Sequence, residues 1–265
     1  MIMKFAVIGH PISHSLSPVM HHANFRSLGL DDSYIALDIH PTHFHHIRDI
    51  IAEYELDGFN VTIPFKTEIM TYLDEVDDDA GEIGAVNTVK IVNGRWIGYN
   101  TDGTGFIESL PEMELDGLNV LLIGAGGASR AIAQAFKTYG AGITVANRTA
   151  ERMADWPFAV TKIPLTEIDE YAKLADLLIN TTPVGMSGFN ACSLYDFKSV
   201  NPAAIVAEII YTPSMTPFLL EAERRNLQTI NGLGMFVNQG AQSFEIWTGL
   251  KADRHIMTKK VQQHL

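Results

Sequence analysis

Residues 119–136 read Asn119-Val120-Leu121-Leu122-Ile123-Gly124-Ala125-Gly126-Gly127-Ala128-Ser129-Arg130-Ala131-Ile132-Ala133-Gln134-Ala135-Phe136. An apolar run enters a glycine-rich turn, and a helical pattern leaves it. That order is where a dinucleotide fingerprint belongs. Gly124 permits the tight turn. Gly126 lets a pyrophosphate approach the backbone, and the helix N-terminus supplies free N–H groups. The third fingerprint position holds Ser129 rather than Gly or Ala, a mild departure because serine is still small. The plain alternative is an ordinary tight strand-to-helix turn. A second strand about twenty residues further on favours the binding reading.

That second strand ends Ile143-Thr144-Val145-Ala146-Asn147-Arg148-Thr149. Sites for NAD usually place Asp or Glu here, to accept from the ribose 2′-hydroxyl. Asn147 and Arg148 stand there instead, with Arg152 one turn later. A carboxylate would repel a 2′-phosphate, whereas a guanidinium grips it with two hydrogen bonds. A solvated arginine at a helix start would sit at the wrong end of the helix dipole. The expected cofactor is NADP, bound by Gly124, Gly126, Gly127, Ala128, Asn147, Arg148, Thr149 and Arg152.

Outward from this stretch, short apolar strands alternate with helical patterns. Strands are expected at Lys4–Gly9, Tyr34–Ile39, Gly58–Ile63, Val86–Val92, Arg95–Tyr99 and Asn119–Ile123. Further strands follow at Ile143–Asn147, Phe158–Ile163, Leu177–Asn180, Ile205–Ile210 and Gln228–Asn231. Helices are expected near Pro18–Leu28, Thr42–Tyr54, Gly103–Leu110, Ala128–Tyr139, Thr216–Asn226 and Met235–Gly249. Asn93-Gly94 is a strong two-residue hairpin signal. The alternation implies an α/β fold of parallel sheets with crossover helices. The expected domain break is Asn100–Leu118.

The chain has 265 residues, 46% hydrophobic and 19% charged, which suits a globular protein with a full core. One cysteine, Cys192, allows no internal disulfide and is consistent with a reducing compartment. Met1-Ile2-Met3-Lys4-Phe5-Ala6-Val7-Ile8-Gly9 enters a strand pattern at once, so no signal peptide is expected, and the cytoplasm is the default. No apolar run approaches the roughly 20 residues that span a bilayer. The net charge of −12 disfavours nucleic acid and anionic membranes as partners. It leaves room for a small anionic ligand held by local donors.

A second stretch raises a chemical question. In Asn60-Val61-Thr62-Ile63-Pro64-Phe65-Lys66 a lysine follows what reads as a buried strand stopped by proline. With this stretch the chain resembles the shikimate dehydrogenase family from end to end. The other motifs that carry the resemblance begin with Gly9-His10-Pro11-Ile12-Ser13-His14-Ser15-Leu16-Ser17-Pro18, Gly84-Ala85-Val86-Asn87-Thr88 and Asn100-Thr101-Asp102-Gly103. They continue with the Gly124–Ala128 turn, Asn147-Arg148-Thr149 and Asn180-Thr181-Thr182-Pro183-Val184-Gly185-Met186. Tyr211-Thr212-Pro213 and Gly234-Met235-Phe236-Val237-Asn238-Gln239 complete the set.

The resemblance implies two domains: an N-terminal open α/β substrate domain (1–102) and a C-terminal Rossmann-like NADP domain (103–234). The last helices (235–265) return to the substrate domain. It implies reversible reduction of 3-dehydroshikimate to shikimate by NADPH, on the route to aromatic amino acids. Lys66 and Asp102 become the catalytic pair, and Ser15 and Ser17 the holders of the substrate carboxylate. Thr62, Lys66, Asn87, Asp102, Tyr211 and Gln239 join the substrate set, and Gly232 the cofactor set. An ammonium near a carbonyl that accepts hydride stabilises the developing charge and can give the proton. Read alone, Lys66 and Asp102 would be a structural ion pair, and Ser17 is also suited to cap a helix. The family usually carries Asp three positions before its tyrosine, where Glu208 stands here. The rival readings are a quinate/shikimate dehydrogenase using NAD and a non-catalytic NADP-binding sensor. The expected partner is the small-molecule substrate, in a monomer or homodimer.

His40, His43, His45 and His46 invite a metal, but no carboxylate or cysteine completes a ligand spacing. They read as the polar face of a helix that begins after Pro41, and no metal is expected. His10, His14, His21 and His22 lie near the substrate motif, yet hydride transfer needs no metal. Asp74–Asp79 reads as an exposed acidic stretch and Cys192 as incidental.

Overall fold

A computed structural model describes residues 2–154, 156–190 and 192–265, with the backbone alone for residues 150 and 152. The chain divides into two compact units. One runs to Thr101 and includes Val237–His264; the other is Asp102–Phe236. No helix among the described residues is long and apolar enough to cross a membrane.

The first unit contains β1 (Lys4–Gly9), α1 (Ser17–Ser27), β2 (Ser33–Asp38), α2 (Ile47–Glu53) and β3 (Gly58–Val61). It continues with β4 (Glu75–Val76), α3 (Asp78–Ile83), β5 (Thr88–Val92) and β6 (Arg95–Tyr99). Its sheet has the order β2-β1-β3-β5-β6-β4. The sheet is mixed, not parallel throughout, because β5 pairs antiparallel with both β3 and β6. Between β5 and β6 the cause is the Asn93-Gly94 hairpin, where φ is 51° and 77°, the left-handed pair a two-residue turn requires.

Two expectations shift here, and a third is extended. Strand β3 stops at Val61, and Ile63 is 63% exposed, because the Phe65 N–H donates to the Thr62 carbonyl and turns the chain before Pro64. The helix expected from Thr42 begins as a 3-10 turn over Pro41–His46, with His43, His45 and His46 exposed around a buried Phe44. The acidic stretch is exposed as expected, and it also carries β4 and the start of α3, with Asp77 capping α3 by accepting from the Asp79 N–H.

The second unit contains α4 (Asp102–Ile107), β7 (Asn119–Ile123), α5 (Gly127–Thr138), β8 (Gly142–Asn147) and β9 (Thr161–Pro164). It continues with α6 (Ile168–Ala172), β10 (Leu177–Asn180), β11 (Ile205–Glu208), α7 (Pro217–Arg224) and β12 (Gln228–Ile230). Every pairing in its sheet is parallel, in the order β12-β11-β10-β7-β8-β9. That is the Rossmann order, with the reversal of strand order between β7 and β10. Strands β7 and β10 are apolar because helices cover a parallel sheet on both faces. Helix α5 buries Ser129, Ala131, Ile132, Ala133 and Phe136. Helix α8 (Leu233–Thr248) leads out of this unit, and α9 (Arg254–Gln262) packs on α1 in the first.

The returning helices are bonded to the first sheet. The Trp247 indole Nε1–H donates to the Val89 carbonyl at 2.9 Å, and Lys90 Nζ to the Ile246 carbonyl at 2.6 Å. Gly58 makes room for Trp247, since a Cβ there would lie 2.6 Å from the indole ring.

His21 of α1 is fully buried and stacks on Tyr34 at 4.2 Å with 9° between the rings. Neither ring nitrogen has a hydrogen-bond partner. Burial, helped by neighbouring His22, lowers its pKa from 6.5 to about 3. The folded protein holds this ring neutral while the unfolded chain protonates it, so its contribution is complete above pH 6.5 and is lost as pH falls towards 3. His21→Phe should therefore flatten the acid limb of stability. Urea unfolding of wild type and variant should show their difference changing by about 3 kcal/mol between roughly pH 7 and 4. Parallel curves would mean that His21 is not the acid-labile group.

Candidate active site

In open α/β sheets, ligands bind outside the carboxyl ends of the strands where strand order reverses. The first sheet reverses between β1 and β3. The segments leaving those two strand ends are Gly9–Ser17 and Thr62–Lys66, two of the stretches singled out in the sequence. They are stitched together: the Thr62 N–H donates to the Ile8 carbonyl at 2.9 Å, and the His10 N–H to the Ile63 carbonyl at 3.0 Å. Gly9 permits this approach, since a Cβ there would lie 2.5 Å from Thr62 Cγ2. Phe65, stacked on Phe44 at 4.0 Å, anchors the turn from below, and the Lys66 carbonyl accepts from the Val86 N–H at 2.8 Å. Lys66 is therefore set on a turn fixed at both ends, with its side chain half-buried.

Ser15 and Ser17 lie together at the start of α1. Ser15 Oγ donates to Ser17 Oγ at 3.2 Å and accepts from the Ser17 N–H at 3.3 Å. Ser17 is not the helix cap. Leu16 holds that position without a side-chain bond, because Ser17 has already entered the helix. Capping therefore leaves the Ser17 hydroxyl unused, while Ser15 Oγ accepts from the first N–H of the helix.

Beneath these groups lies a buried polar network that the sequence reading did not identify. Asn60 Oδ1 accepts from the Tyr34 hydroxyl at 2.7 Å. Asn60 Nδ2 donates to Ser243 Oγ at 2.8 Å and to Thr88 Oγ1 and the Asn87 carbonyl, each at 3.1 Å. Asn87 Oδ1 accepts from the Thr101 N–H at 2.9 Å, and Thr101 Oγ1 donates to the Gln239 carbonyl at 3.0 Å. Asn87, only 2% exposed, and Gln239 are thus joined through Thr101. Asp102 follows as the first residue of α4 in the second unit, and its side chain is buried.

In the second unit the strand-order reversal brings the Gly124 turn beside the end of β10. Gly124 has φ 113°, and a Cβ there would lie 2.6 Å from Thr181 Oγ1. Both its backbone angle and its neighbours therefore require glycine. Gly126 differs: a Cβ there would meet nothing within 4 Å. The space is open in front of the α5 N-terminus, which begins at Gly127 and Ala128 with no side-chain cap. Unclaimed N–H groups facing open space are what a pyrophosphate needs. Ser129 explains its own departure from the fingerprint. It is fully buried, and its Oγ donates to the Gly124 carbonyl at 2.7 Å, closing the turn from inside.

At the end of β8, Asn147 Nδ2 donates to the Thr149 carbonyl at 2.7 Å, and Arg148 is exposed. The side chain of Arg152 lies outside the described residues. The segment that follows is a single 3-10 turn, Ala150–Met153, too short to carry an appreciable dipole. The dipole argument for an anionic partner therefore fails, and the case for one rests on Arg148 and the missing carboxylate. Tyr211 stacks on Phe236 at 4.2 Å. Gly232 lets α8 start close to β11: its N–H donates to the Ile210 carbonyl at 2.8 Å, where a Cβ would collide with Ile209. Among the described residues no group of three or more His, Cys, Asp or Glu is placed to hold a metal.

This arrangement matches proteins of known activity. Family models match for the shikimate dehydrogenase substrate binding domain (residues 7–89), shikimate/quinate 5-dehydrogenase (108–187) and the shikimate 5′-dehydrogenase C-terminal domain (232–262). The shikimate dehydrogenase (NADP(+)) of Staphylococcus aureus strain MRSA252 is 51% identical over 266 residues, 99% of each chain. A crystal structure of shikimate dehydrogenase in complex with NADP+ has a TM-score of 0.89 at 38% identity, over 99% of this chain and 96% of that one. The shikimate 5-dehydrogenase of Thermus thermophilus, in complex with NADP(H) and shikimate, has a TM-score of 0.87 at 36% identity over 100% of both chains. The chain belongs to the shikimate dehydrogenase family.

Proposed function

We propose that the chain is an NADP-dependent shikimate dehydrogenase, interconverting 3-dehydroshikimate and shikimate in aromatic amino acid biosynthesis. The observation that carries the reading is the glycine turn, with open space at Gly126 before an uncapped helix and Arg148 beyond the next strand. When bound there, NADPH supplies the hydride. Ser15 and Ser17 hold the substrate carboxylate with their hydroxyls. Thr62, Asn87, Tyr211 and Gln239 orient the ring and its hydroxyls. Lys66 donates to the carbonyl oxygen as negative charge builds there, and Asp102 orients the substrate hydroxyl beside it. In the reductive direction the Lys66–Asp102 pair delivers the proton. Gly124, Gly126, Gly127 and Ala128 hold the pyrophosphate. Asn147, Arg148, Thr149 and Arg152 surround the 2′-phosphate, and Gly232 shapes the far end of the cofactor site. The expected domains, 1–102 for substrate and 103–234 for NADP with 235–265 returning to the first, differ by one or two residues from the two compact units, which divide after Thr101 and again after Phe236. The single cysteine and the biosynthetic role support a cytoplasmic enzyme, working as a monomer or homodimer.

The reading is tested by absorbance at 340 nm, with shikimate and quinate each offered with NADP and with NAD. Shikimate with NADP should be the preferred pair. Preference for quinate with NAD would favour the related quinate activity, and no turnover with any pair would favour a sensor.

Lys66→Ala should lower kcat on the order of 10²–10⁴-fold and leave the shikimate dissociation constant within a few-fold, because the charge is needed where charge develops. A rise in KM alone would make the lysine a binding group.

Gly126→Ala offers a cleaner probe of the turn than Gly124. Its φ of −87° suits alanine, and the added methyl meets no protein atom. The melting temperature should stay within about 2 °C of wild type, consistent with a change well under 1 kcal/mol. NADP affinity should fall about tenfold or more, on the order of 1.4 kcal/mol, with shikimate affinity unchanged. Undiminished NADP binding would place the pyrophosphate elsewhere.

For cofactor choice, charge-assisted hydrogen bonds contribute roughly 1.5–3 kcal/mol each. Asn147→Asp combined with Arg148→Ala should erase most of the preference for NADP, by adding repulsion and removing attraction. Activity with NAD should fall much less. A double variant that still strongly favours NADP in kcat/KM would remove Arg148 from the 2′-phosphate site.

A further inference from the structure

One buried charge in the second unit has no part in the mechanism above. Glu208 ends β11 and is fully buried. Its Oε2 accepts from Thr216 Oγ1 at 2.9 Å and from Asn180 Nδ2 at 3.5 Å, while Oε1 has no partner. Burial raises its pKa to about 7, against the opposing pull of these two donors. A buried ionisable side chain with one unpartnered oxygen is costly, and an apolar residue would serve packing better. Its hydrogen bonds show what it does instead.

Asn180 Oδ1 accepts from the Thr182 N–H at 2.9 Å and from Thr182 Oγ1 at 2.8 Å. Thr182 Oγ1 in turn accepts from the Val184 N–H at 3.2 Å. With its oxygen held by Thr182, the Asn180 amide offers its nitrogen to two acceptors, the Val184 carbonyl at 3.4 Å and Glu208 Oε2 at 3.5 Å. Glu208 is the acceptor that lies outside the turn, and it ties the turn to the end of β11. Thr216 is fixed in the same way. Its Oγ1 accepts from the Leu219 N–H as the cap of α7, so its proton goes to Glu208.

The turn held by these bonds faces the Gly124 turn. The Thr181 N–H and Oγ1 both donate to the Ile123 carbonyl, at 2.9 and 2.8 Å. With the 2′-phosphate at the end of β8 and the pyrophosphate at Gly124, the rest of a dinucleotide extends across the ends of β10 and β11. We propose that Glu208 is a positioning residue for the nicotinamide half of the cofactor, acting through the Asn180 amide on the Thr181–Val184 turn. This deepens the NADP dehydrogenase reading and rests on it.

Glu208→Leu removes the acceptor, and Glu208→Gln retains a carbonyl oxygen for the same two donors. The experiment measures kcat/KM for NADP+ and, alongside it, inhibition by adenosine 2′,5′-bisphosphate, which carries only the adenosine half. Glu208→Leu should lower kcat/KM about ten- to a hundred-fold, the size expected when a buried hydrogen-bonded contact is lost. The inhibition constant should change less than about two-fold, because the 2′-phosphate site is untouched. Glu208→Gln should recover most of the loss. Asn180→Ala should show the same split, which keeps the test open if Glu208→Leu does not fold. Equal losses for both ligands, unchanged kinetics, or a Gln variant no better than Leu would overturn the proposal. A wild type inactive with shikimate and NADP would instead overturn the dehydrogenase reading beneath it.

Discussion

Asn60 is the group on which the first unit turns. It sits on β3 at the centre of the sheet, and its amide is bonded to β2, β5 and α8 at once. An amide buried with its bonds unmade would cost on the order of 1–3 kcal/mol, so all three elements must arrive in register for the unit to close. Ser243 comes from a helix 183 residues away in sequence, which explains why Val237–His264 belongs to this unit and not to the one preceding it in the chain. The bond from Thr101 to the Gln239 carbonyl adds a second tie. It links the last residue before the chain leaves the unit to one just after it returns.

The two units solve different problems with one geometric device. Each places its polar segments at the carboxyl ends of two neighbouring strands where strand order reverses. In the first unit these segments carry hydroxyls and a lysine, held by strand-end hydrogen bonds around Gly9. In the second they carry glycines and an open helix end. The glycines there are not interchangeable. Gly124 is required by its own backbone and by Thr181, whereas Gly126 is required by nothing in the protein. A position kept free of a side chain without internal need points to something that approaches from outside.

How much of this was legible in the sequence depended on whether the signal was local. Strands β1, β6, β7 and β10 begin and end where their apolar runs do, because glycine, asparagine or a charge bounds each run. Strand β4 was not legible: Glu75–Val76 has no apolar period, and only pairing with β6 makes it a strand. The antiparallel pairing of β5 with β6 was signalled by Asn93-Gly94, whereas its antiparallel pairing with β3 left no local signal. The glycine turn, the two serines and Lys66 stood out because each lies in a motif of a few consecutive residues. Tyr34 and Ser243 could not, since only the fold brings their hydroxyls to Asn60. Glu208 did leave a trace, as a charge directly after the apolar Ile205-Val206-Ala207. Its bonds to Asn180 and Thr216 required the fold.

The net charge of −12 poses a final question, because the proposed substrate and cofactor are both anions. A unit charge about 10 Å away through water contributes only about 0.4 kcal/mol, and salt screens it further. One charge-assisted hydrogen bond contributes roughly 1.5–3 kcal/mol. Contact donors therefore outweigh the distant field. Most of the donors in the proposed site are also neutral: hydroxyls of Ser15 and Ser17, and N–H groups at the start of α5. Such donors can be set in place without the mutual repulsion that a cluster of lysines would bring. The three cations assigned a role, Lys66, Arg148 and Arg152, then stand only where charge itself is required. The lysine meets the charge that develops during reaction, and the two arginines meet the phosphate that distinguishes NADP from NAD.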